Sequence, residues 1–218
     1  MDGYAAFQWI VKGTLRLGFG LQVRDVGRIP GDGPVILAAN HGSQIDPLVM
    51  AAAVPRRCTF LAAAELLTMP VLGALIRPFR VVPVRRGRFD RGAIEECLAR
   101  LDRGDALVIF PEGKISTDGR LQRPRDGLAF LAGRARVPIV PVGIGGTYDV
   151  WPLGTRMPRP GRITVCVGEA IVPAEAPARR QQSALTARVM QAITRLTGAP
   201  DTESPIPLGL CPSGLGKR

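Results

Sequence analysis

The sequence has few of the residues that build metal centres. Its 218 residues include one histidine and four cysteines, and the cysteines lie far apart, at Cys58, Cys97, Cys166 and Cys211. Metal sites made of cysteine and histidine need these ligands at short, paired spacings. No such spacing occurs, so the sequence predicts reduced thiols, no metal ion and no bound cofactor.

Lysine and the larger aromatic residues are also scarce. Only Lys12, Lys114 and Lys217 are lysines, so 26 of the 29 basic residues are arginines, and the formal net charge is +11. This charge favours an anionic partner, and guanidinium groups suit phosphate well. The two tryptophans and two tyrosines are not interleaved with the basic stretches, as base stacking on a nucleic acid requires. We therefore expect phosphorylated small molecules or anionic lipid as partners, and no nucleic acid.

The first residues are not predicted to be a targeting segment. They have no basic segment before the apolar residues, no small-residue cleavage site and no glycine at position 2, which argues against a signal peptide and against myristoylation. The apolar run between Arg57 and Arg77 is interrupted by Glu65 and Pro70. We therefore do not expect it to span a membrane.

Residues 1–20 are predicted to form an amphipathic helix. Five apolar residues share one helical stripe and three polar or basic residues share another, namely Tyr4, Phe7, Val11, Leu15 and Phe19 against Gln8, Lys12 and Arg16. This pattern is typical of a helix that lies in a membrane interface, and we expect such a membrane-associating helix here. A terminal helix docked on the protein core fits the pattern equally well.

Beyond residue 20, short β-branched runs alternate with helical segments. The strand-like runs are PVILAAN, CTFLAA, RVVPV, ALVIF, PIVPVGI and RITVCV, and the helix-like runs are PLVMAAAV, ELLTMPVLGALI, RGAIEECLARLDRG, DGLAFLAGRAR and SALTARVMQAITRLTG. The last helix is expected to turn four residues inward: Leu185, Val189, Ile193 and Leu196. The alternation predicts an α/β fold, with a mostly parallel sheet flanked by helices. We expect one domain over residues 21–198 and a disordered tail over residues 199–218.

The only histidine, His41, follows the first of these strands in AANHGSQIDPLVM. His41 and Asp46 cannot meet on one continuous helix, because five residues turn through about 500°. If His41 lies in the loop and Asp46 in the first helical turn, the carboxylate accepts from one imidazole nitrogen and leaves the other as a general base. A purely structural histidine is the alternative. Ser43 is expected to cap the turn, since it lacks the G-x-S-x-G elbow of a nucleophile.

Two further segments carry groups suited to an anionic ligand. ALVIFPEGKIS places an acid, a glycine, a lysine and a serine after a strand, at Glu112, Gly113, Lys114 and Ser116. The acid can accept a hydroxyl proton, the glycine permits close approach and the lysine can meet phosphate, although an ordinary solvated turn has the same composition. RPFRVVPVRRGRFDR gathers arginines near Asp90, which suits phosphate or an anionic lipid surface.

Four blocks together resemble a known family. NHGSQID, VVPVRR, FPEGKIS and VPIVPV have the order and approximate spacing of the four blocks of the glycerolipid acyltransferase family, which includes 1-acyl-glycerol-3-phosphate acyltransferases. The resemblance covers residues 30–172 and implies the fold of that family. It also implies transfer of an acyl chain from acyl-CoA or acyl carrier protein to the free hydroxyl of 1-acyl-glycerol-3-phosphate, without metal, to give phosphatidic acid.

The resemblance implies roles for individual residues. His41 is then the catalytic base and Asp46 orients it. The residues implied to hold the phosphate and glycerol of the acceptor are Arg86, Glu112, Gly113, Lys114 and Ser116. The third block departs from the family, because Lys114 and Ile115 stand where threonine and arginine are usual. One cation that can contact phosphate is therefore missing.

Two alternative functions remain open. The same chemistry fits another lyso-lipid acceptor, with an amino-acid-derived or glycolipid head group. The second alternative is a non-catalytic module that binds an anionic membrane. Because the implied acceptor is a lipid, we expect a peripheral protein on the cytoplasmic face of a membrane, with an anionic membrane surface as partner. The apolar residues from Leu61 to Ile76 either line a channel for the acyl chain or pack in the core.

Overall fold

The computed structural model describes residues 3–68, 79–85, 90–125, 127–173 and 179–197. The strands are β1 (Gln22–Arg24), β2 (Val35–Ala39), β3 (Cys58–Ala63), β4 (Arg80–Val84), β5 (Ala106–Ile109), β6 (Ile139–Gly145) and β7 (Thr164–Val167). The helices are α1 (Gly3–Phe19), α2 (Asp46–Ala53), α3 (Ala64–Thr68), α4 (Arg91–Asp102), α5 (Gly127–Ala135), α6 (Thr147–Val150) and α7 (Arg179–Leu196), and residues Val26–Arg28 form a 3₁₀ turn.

The strands form one sheet in the order β1-β7-β6-β2-β5-β3-β4. All neighbouring pairs are parallel except β6 and β7, which are antiparallel. The prediction of a mostly parallel sheet is therefore confirmed. The sequence did not predict β1, a strand of three residues at the sheet edge, or the short helix α6.

Helices cover both faces of the sheet, as predicted. In β2 the residues Val35, Leu37 and Ala39 point into the core beneath α1 and α2, whereas Ile36 and Ala38 point into the core beneath α4, α5 and α7. All five residues of β2 are buried, because a parallel sheet covered on both faces leaves neither set of alternating side chains in water.

The last helix begins earlier than predicted, at Arg179 rather than Ser183. Its four predicted inward residues, Leu185, Val189, Ile193 and Leu196, are all buried. The predicted helix over residues 65–76 is described only as α3, since residues 69–78 lie outside the described part of the chain. The predicted disordered tail over residues 199–218 lies outside it as well.

The apolar stripe of α1 does not face away from the protein. Tyr4 and Leu15 are buried, and Phe7, Val11 and Phe19 pack against the same core cluster. The polar stripe also contacts the core. The Gln8 amide donates hydrogen bonds to the carbonyl oxygens of Ala51 (2.8 Å) and Val54 (2.6 Å) at the end of α2. The stripe therefore packs on the core, as the docked alternative predicts, and the membrane association of residues 1–20 stays a prediction.

A different face of α1 is exposed. Trp9, Ile10 and Leu17 have exposed fractions of 76%, 60% and 92%, and they lie on the side of the helix opposite to the docked stripe. The helix is therefore apolar on two faces. None of the helices in the described ranges has both the length and the apolar character that crossing a membrane requires.

The cysteines differ from one another. Cys58 and Cys97 are free and buried, and burial raises the pKa of each thiol to about 12. Cys166 lies in β7 and is buried, and Cys211 lies outside the described part of the chain.

Candidate active site

The site lies at the carboxyl edge of the parallel strands, where β2 and β5 run side by side. His41 follows β2, and Phe110 to Glu112 follow β5. Asn40 extends the sheet beyond the last residue of β2, since its side-chain amide bonds both the carbonyl oxygen (2.9 Å) and the backbone N–H (2.7 Å) of Ile144 in β6. Adjacent strands therefore deliver the histidine and the glutamate to one place.

His41 and Asp46 meet because the chain turns between them. His41 lies in the loop and Asp46 is the first residue of α2, and His41 Nδ1 lies 2.9 Å from Asp46 Oδ2. The same oxygen accepts the backbone N–H of Ser43 at 2.7 Å. Asp46 is fully buried, so its carboxylate is fixed, and its other oxygen has no hydrogen-bond partner among the described residues.

The imidazole is held in one orientation. Its ring stacks on Phe110 with the centroids 4.1 Å apart and an interplanar angle of 18°. Because an ionised carboxylate only accepts, Nδ1 carries the proton in this pair and Nε2 keeps a free lone pair. The side chain is 12% exposed. The arrangement can therefore remove a proton from a group that enters beside it.

Glu112 contacts the backbone of the site. One carboxyl oxygen accepts the His41 backbone N–H and the other accepts the Gln122 backbone N–H, both at 2.7 Å. Burial raises the pKa of Glu112 to about 7, although the two backbone donors act in the opposite direction. Glu112 is 2% exposed, and in this structure its carboxyl group holds the His41 loop in place.

The rest of the third block also braces the site. The Ser116 backbone N–H donates to the His41 carbonyl oxygen at 2.8 Å, so the His41 peptide is held from both sides. The Ser116 hydroxyl donates to Asp118 (2.9 Å) and accepts the Arg120 backbone N–H (3.0 Å). Lys114 is exposed. Of the predicted acceptor-binding residues, Arg86 lies outside the described part of the chain.

His41 opens onto a cavity of about 360 Å³. Most of the lining is apolar and comes from β3, α3, α4 and α5, including Leu61, Leu66, Ile94, Cys97, Leu128 and Leu131. Two arginines, Arg85 and Arg125, also line the cavity. One space therefore contains a candidate base, two cations and an apolar wall.

Arg125 is the functional candidate that sequence reasoning missed. Gly113 has a positive φ of 66°, and a Cβ built there would lie 2.7 Å from Nε and 2.8 Å from Cδ of Arg125. The arginine therefore lies directly over Gly113, and a side chain at position 113 would require Arg125 to move. Its guanidinium forms no hydrogen bond or ion pair with the described residues. The only signal in the sequence was another short basic segment, RPR, which resembles any exposed loop.

Metal ligands are not grouped in this region. Within the described ranges, no cluster of three or more histidine, cysteine, aspartate or glutamate side chains is placed to hold a metal ion. Instead, the Asp46 carboxylate contacts the His41 ring, and the Glu112 carboxyl group accepts the His41 backbone N–H.

Comparison with known proteins gives related chains along most of the sequence. A human 1-acyl-sn-glycerol-3-phosphate acyltransferase beta is 30% identical over 176 residues, covering 78% of this chain and 63% of the relative. A Bacillus subtilis 1-acyl-sn-glycerol-3-phosphate acyltransferase is 24% identical over 191 residues, 85% of this chain and 92% of the relative. A chloroplastic relative from Brassica napus, BAT2, is 29% identical over 126 residues, but this chain spans only 36% of its length.

A solved structure supports the fold. The crystal structure of the 1-acyl-sn-glycerophosphate (LPA) acyltransferase PlsC from Thermotoga maritima matches with a TM-score of 0.72 at 24% identity, over 91% of this chain and 83% of that one. The family model described as Acyltransferase matches residues 20–145, more than half of the chain, and includes His41, Asp46 and the third block. The chain therefore belongs to the acyltransferase family, as its four sequence blocks predicted.

Proposed function

We propose that the protein transfers an acyl chain from an acyl thioester, acyl-CoA or acyl carrier protein, to the free hydroxyl of 1-acyl-glycerol-3-phosphate, making phosphatidic acid. The observation that carries this proposal is the fixed His41–Asp46 pair, 2.9 Å apart, with His41 lining a largely apolar cavity that Arg85 and Arg125 also line. The acyltransferase relatives supply the reaction class.

His41 and Asp46 are proposed to act as a general base pair. Nε2 takes the proton of the acceptor hydroxyl while that oxygen attacks the thioester carbonyl carbon. The carbon–sulfur bond then breaks, and the departing thiolate receives the proton from the imidazolium. Asp46, fixed by the Ser43 backbone N–H, keeps Nδ1 protonated and stabilises the positive charge that His41 carries between these two steps.

The cations at the cavity mouth are proposed to bind the acceptor's phosphate. Arg125 has the clearest structural basis, because its guanidinium has no described partner and lies beside Gly113 in the same cavity as His41. It compensates for the arginine that the third block lacks. Arg86, Lys114 and Ser116 remain proposed contacts to phosphate and glycerol on the basis of the family resemblance, and Glu112 and Gly113 support them from the loop.

The apolar part of the cavity is proposed to receive the acyl chain. Leu61, Ala62, Ala63 and Leu66 line it, which fits the expectation that the segment after residue 61 forms an acyl channel. Buried apolar lining with a few polar groups at one end is the usual form of a lipid site. The protein then works as a peripheral protein at the cytoplasmic face of a membrane, where the lyso-lipid acceptor is found.

The decisive test is incubation of the full chain with acyl-CoA and a mixture of lyso-lipids, followed by mass spectrometry of the products. We expect phosphatidic acid. A product from another lyso-lipid alone would establish the alternative acceptor, and the absence of any acylated product would overturn the proposed chemistry.

Substitution of the base provides the matched test. His41→Ala should lower turnover by about 10²- to 10⁴-fold, because a positioned base contributes that much, while the melting temperature stays close to wild type. Ser43→Ala is the neighbouring control and should keep substantial activity, since its hydroxyl bonds the Trp151 carbonyl oxygen and its backbone N–H remains. Near-wild-type turnover of His41→Ala, or an acyl-serine at position 43, would refute the proposed mechanism.

A further inference from the structure

A long loop joins α6 to β7, and we call residues 151–162 the arginine loop. It presents two exposed apolar side chains, Met157 at 75% and Leu153 at 48% exposure. Arg156, Arg159 and Arg162 are exposed beside them, and the loop contains no acidic residue. Long irregular loops within a compact domain usually have a function. The three guanidinium groups make no hydrogen bond or ion pair to the described residues.

The arginine loop lies at the active-site edge of the sheet. β6 ends at Gly145 and its antiparallel neighbour β7 begins opposite it, at Thr164, so the connection between them stays at the edge where His41 lies. The Ser43 hydroxyl donates to the Trp151 carbonyl oxygen. The loop therefore touches the turn that carries His41 and Asp46.

The other end of the loop adjoins the last turn of α1. The Ile163 backbone N–H donates to the Phe19 carbonyl oxygen at 3.0 Å, and a Cβ at Gly20 would lie 3.7 Å from Arg162 Cγ. Leu17 and Arg16, both exposed, belong to that turn. The loop and the end of α1 therefore form a continuous edge with exposed apolar side chains and positive charge.

The loop is ordered by its own contacts. Trp151 Nε1 donates to the Thr155 carbonyl oxygen at 3.0 Å and the Thr155 hydroxyl donates to the Pro152 carbonyl oxygen at 2.9 Å. The Arg159 backbone N–H donates to the Val150 carbonyl oxygen at 2.7 Å. The backbone that carries the exposed side chains is thus ordered before any partner binds, which lowers the entropy lost on binding.

We infer that the arginine loop, together with Leu17 and Arg16 of α1, is the surface through which the protein contacts an anionic lipid bilayer during catalysis. The inference rests on the proposed lipid acceptor. Leu153, Met157 and Leu17 insert among the acyl chains, and the arginines bind lipid phosphates. Charge of a single sign disfavours a second copy of the chain as occupant. Contact here brings the His41 cavity to the bilayer surface, where a lyso-lipid is available.

The test is co-sedimentation of the full chain with vesicles of equal parts phosphatidylglycerol and phosphatidylcholine, in the absence of substrate. Leu153→Ser combined with Met157→Ser should weaken vesicle binding by about tenfold, because two apolar side chains are no longer available to insert among the acyl chains. Val172→Ser is the matched control, since Val172 is 73% exposed and follows Ile171, which pairs with Ile139 at the opposite edge of the sheet.

A second pair of variants measures the contribution of positive charge to vesicle binding. Arg156→Gln combined with Arg159→Gln should weaken binding to the same vesicles by about tenfold and leave the weaker binding to pure phosphatidylcholine vesicles unchanged. Arg134→Gln combined with Arg188→Gln removes the same charge from exposed positions on α5 and α7 and should bind as wild type does.

Two outcomes overturn the inference. The first is a loss of vesicle binding in the loop variants no larger than in their controls. The second is a change of oligomeric state of the Leu153→Ser, Met157→Ser variant in light scattering without vesicles, which would make the loop an interface between copies of the chain. Because no substrate is present, failure of the proposed acyl transfer would leave this result standing.

Discussion

At the scale of single residues, Glu112 holds the His41 loop through a carboxyl group whose ionisation its surroundings oppose. It accepts one hydrogen bond from each of two backbone N–H groups, those of His41 and Gln122. Burial nevertheless raises its pKa from 4.5 to about 7. Protonation also removes an acceptor for one of these N–H groups. The protonation state of Glu112 and the stability of the site are therefore linked.

The linkage predicts how stability changes with pH. Between the ordinary pKa of 4.5 and the folded value of about 7, the folded chain keeps the Glu112 proton that the unfolded chain has lost. The contribution of Glu112 to the free energy of unfolding is fully present below pH 4.5. It falls as the pH rises from 4.5 to about 7, by at most about 1.4 kcal/mol per pH unit.

Glu112→Gln isolates this effect. Urea unfolding of both proteins across the window should show that the free energy of unfolding of the wild type, relative to the variant, decreases as pH rises. A relative stability that increases with pH would show instead that the two backbone N–H groups outweigh burial.

Arg125 is the second residue whose environment suggests a specific experiment. Its guanidinium has no described partner and lies in the His41 cavity. Arg125→Gln should raise KM for the phosphorylated acceptor by about tenfold or more, because a charge-assisted hydrogen bond is worth about 1.5–3 kcal/mol, and should leave KM for the thioester donor nearly unchanged. Arg134→Gln, on an exposed turn of α5, is the control. Equal effects on both substrates would assign Arg125 to the donor or to the fold.

Residues contiguous in the sequence blocks were predictable, whereas contacts between distant segments were not. The His41–Asp46 pair follows from local spacing, because two side chains five positions apart can meet when a loop separates them. The position of Arg125 over Gly113 depends on the left-handed backbone at Gly113 and on the course of the chain between them. The bonds of Glu112 to the His41 backbone likewise depend on β2 and β5 being neighbours, which local patterns do not reveal.

At the scale of elements, α1 shows the limit of a helical pattern. Its two apolar faces have opposite environments, with Leu15 3% exposed and Leu17 92% exposed. A hydrophobic stripe identifies a face that avoids water, but it does not identify what covers that face. By contrast, the strands β2, β5 and β6 were predictable because they are apolar on both faces, while β1 is too short to have a pattern.

The two leucines of α1 provide a matched pair of substitutions. Leu15→Ala should lower the free energy of unfolding by about 2–5 kcal/mol, because it leaves a cavity in the core. Leu17→Ala should change it by less than about 0.5 kcal/mol. Thermal or urea unfolding of both variants measures the difference, and a loss for Leu17→Ala as large as that for Leu15→Ala would contradict the packing of α1 through Leu15 alone.

At the scale of the whole molecule, the proposed catalytic site and the proposed membrane-contact surface lie at one edge of the sheet. The loops after β2 and β5 carry the His41 site, and the arginine loop and the end of α1 adjoin it. Under this proposal, the net charge of +11 attracts the protein to anionic surfaces, and the exposed apolar side chains determine which edge enters the membrane interface.

Because charge and apolar contact both contribute to this proposed binding, salt is expected to weaken vesicle binding only in part. Raising ionic strength from about 0.1 M to about 1 M shortens the screening length from about 10 Å to about 3 Å. The bound fraction on phosphatidylglycerol-containing vesicles should fall with salt, while the fraction held by the apolar contacts of Leu153, Met157 and Leu17 should stay bound.

Combining salt with substitution separates the two contributions in full. In high salt, Leu17→Ser should release most of the remaining bound protein, because the apolar contact is then the main attraction, whereas Arg16→Gln should have little further effect. In low salt the two variants should weaken binding to a similar extent. Turnover of an acceptor embedded in the bilayer should follow the bound fraction, with a short-chain soluble acceptor as the control for direct effects of salt on the enzyme. Binding that is insensitive to salt would mean that the positive charge of the chain has no part in reaching the membrane.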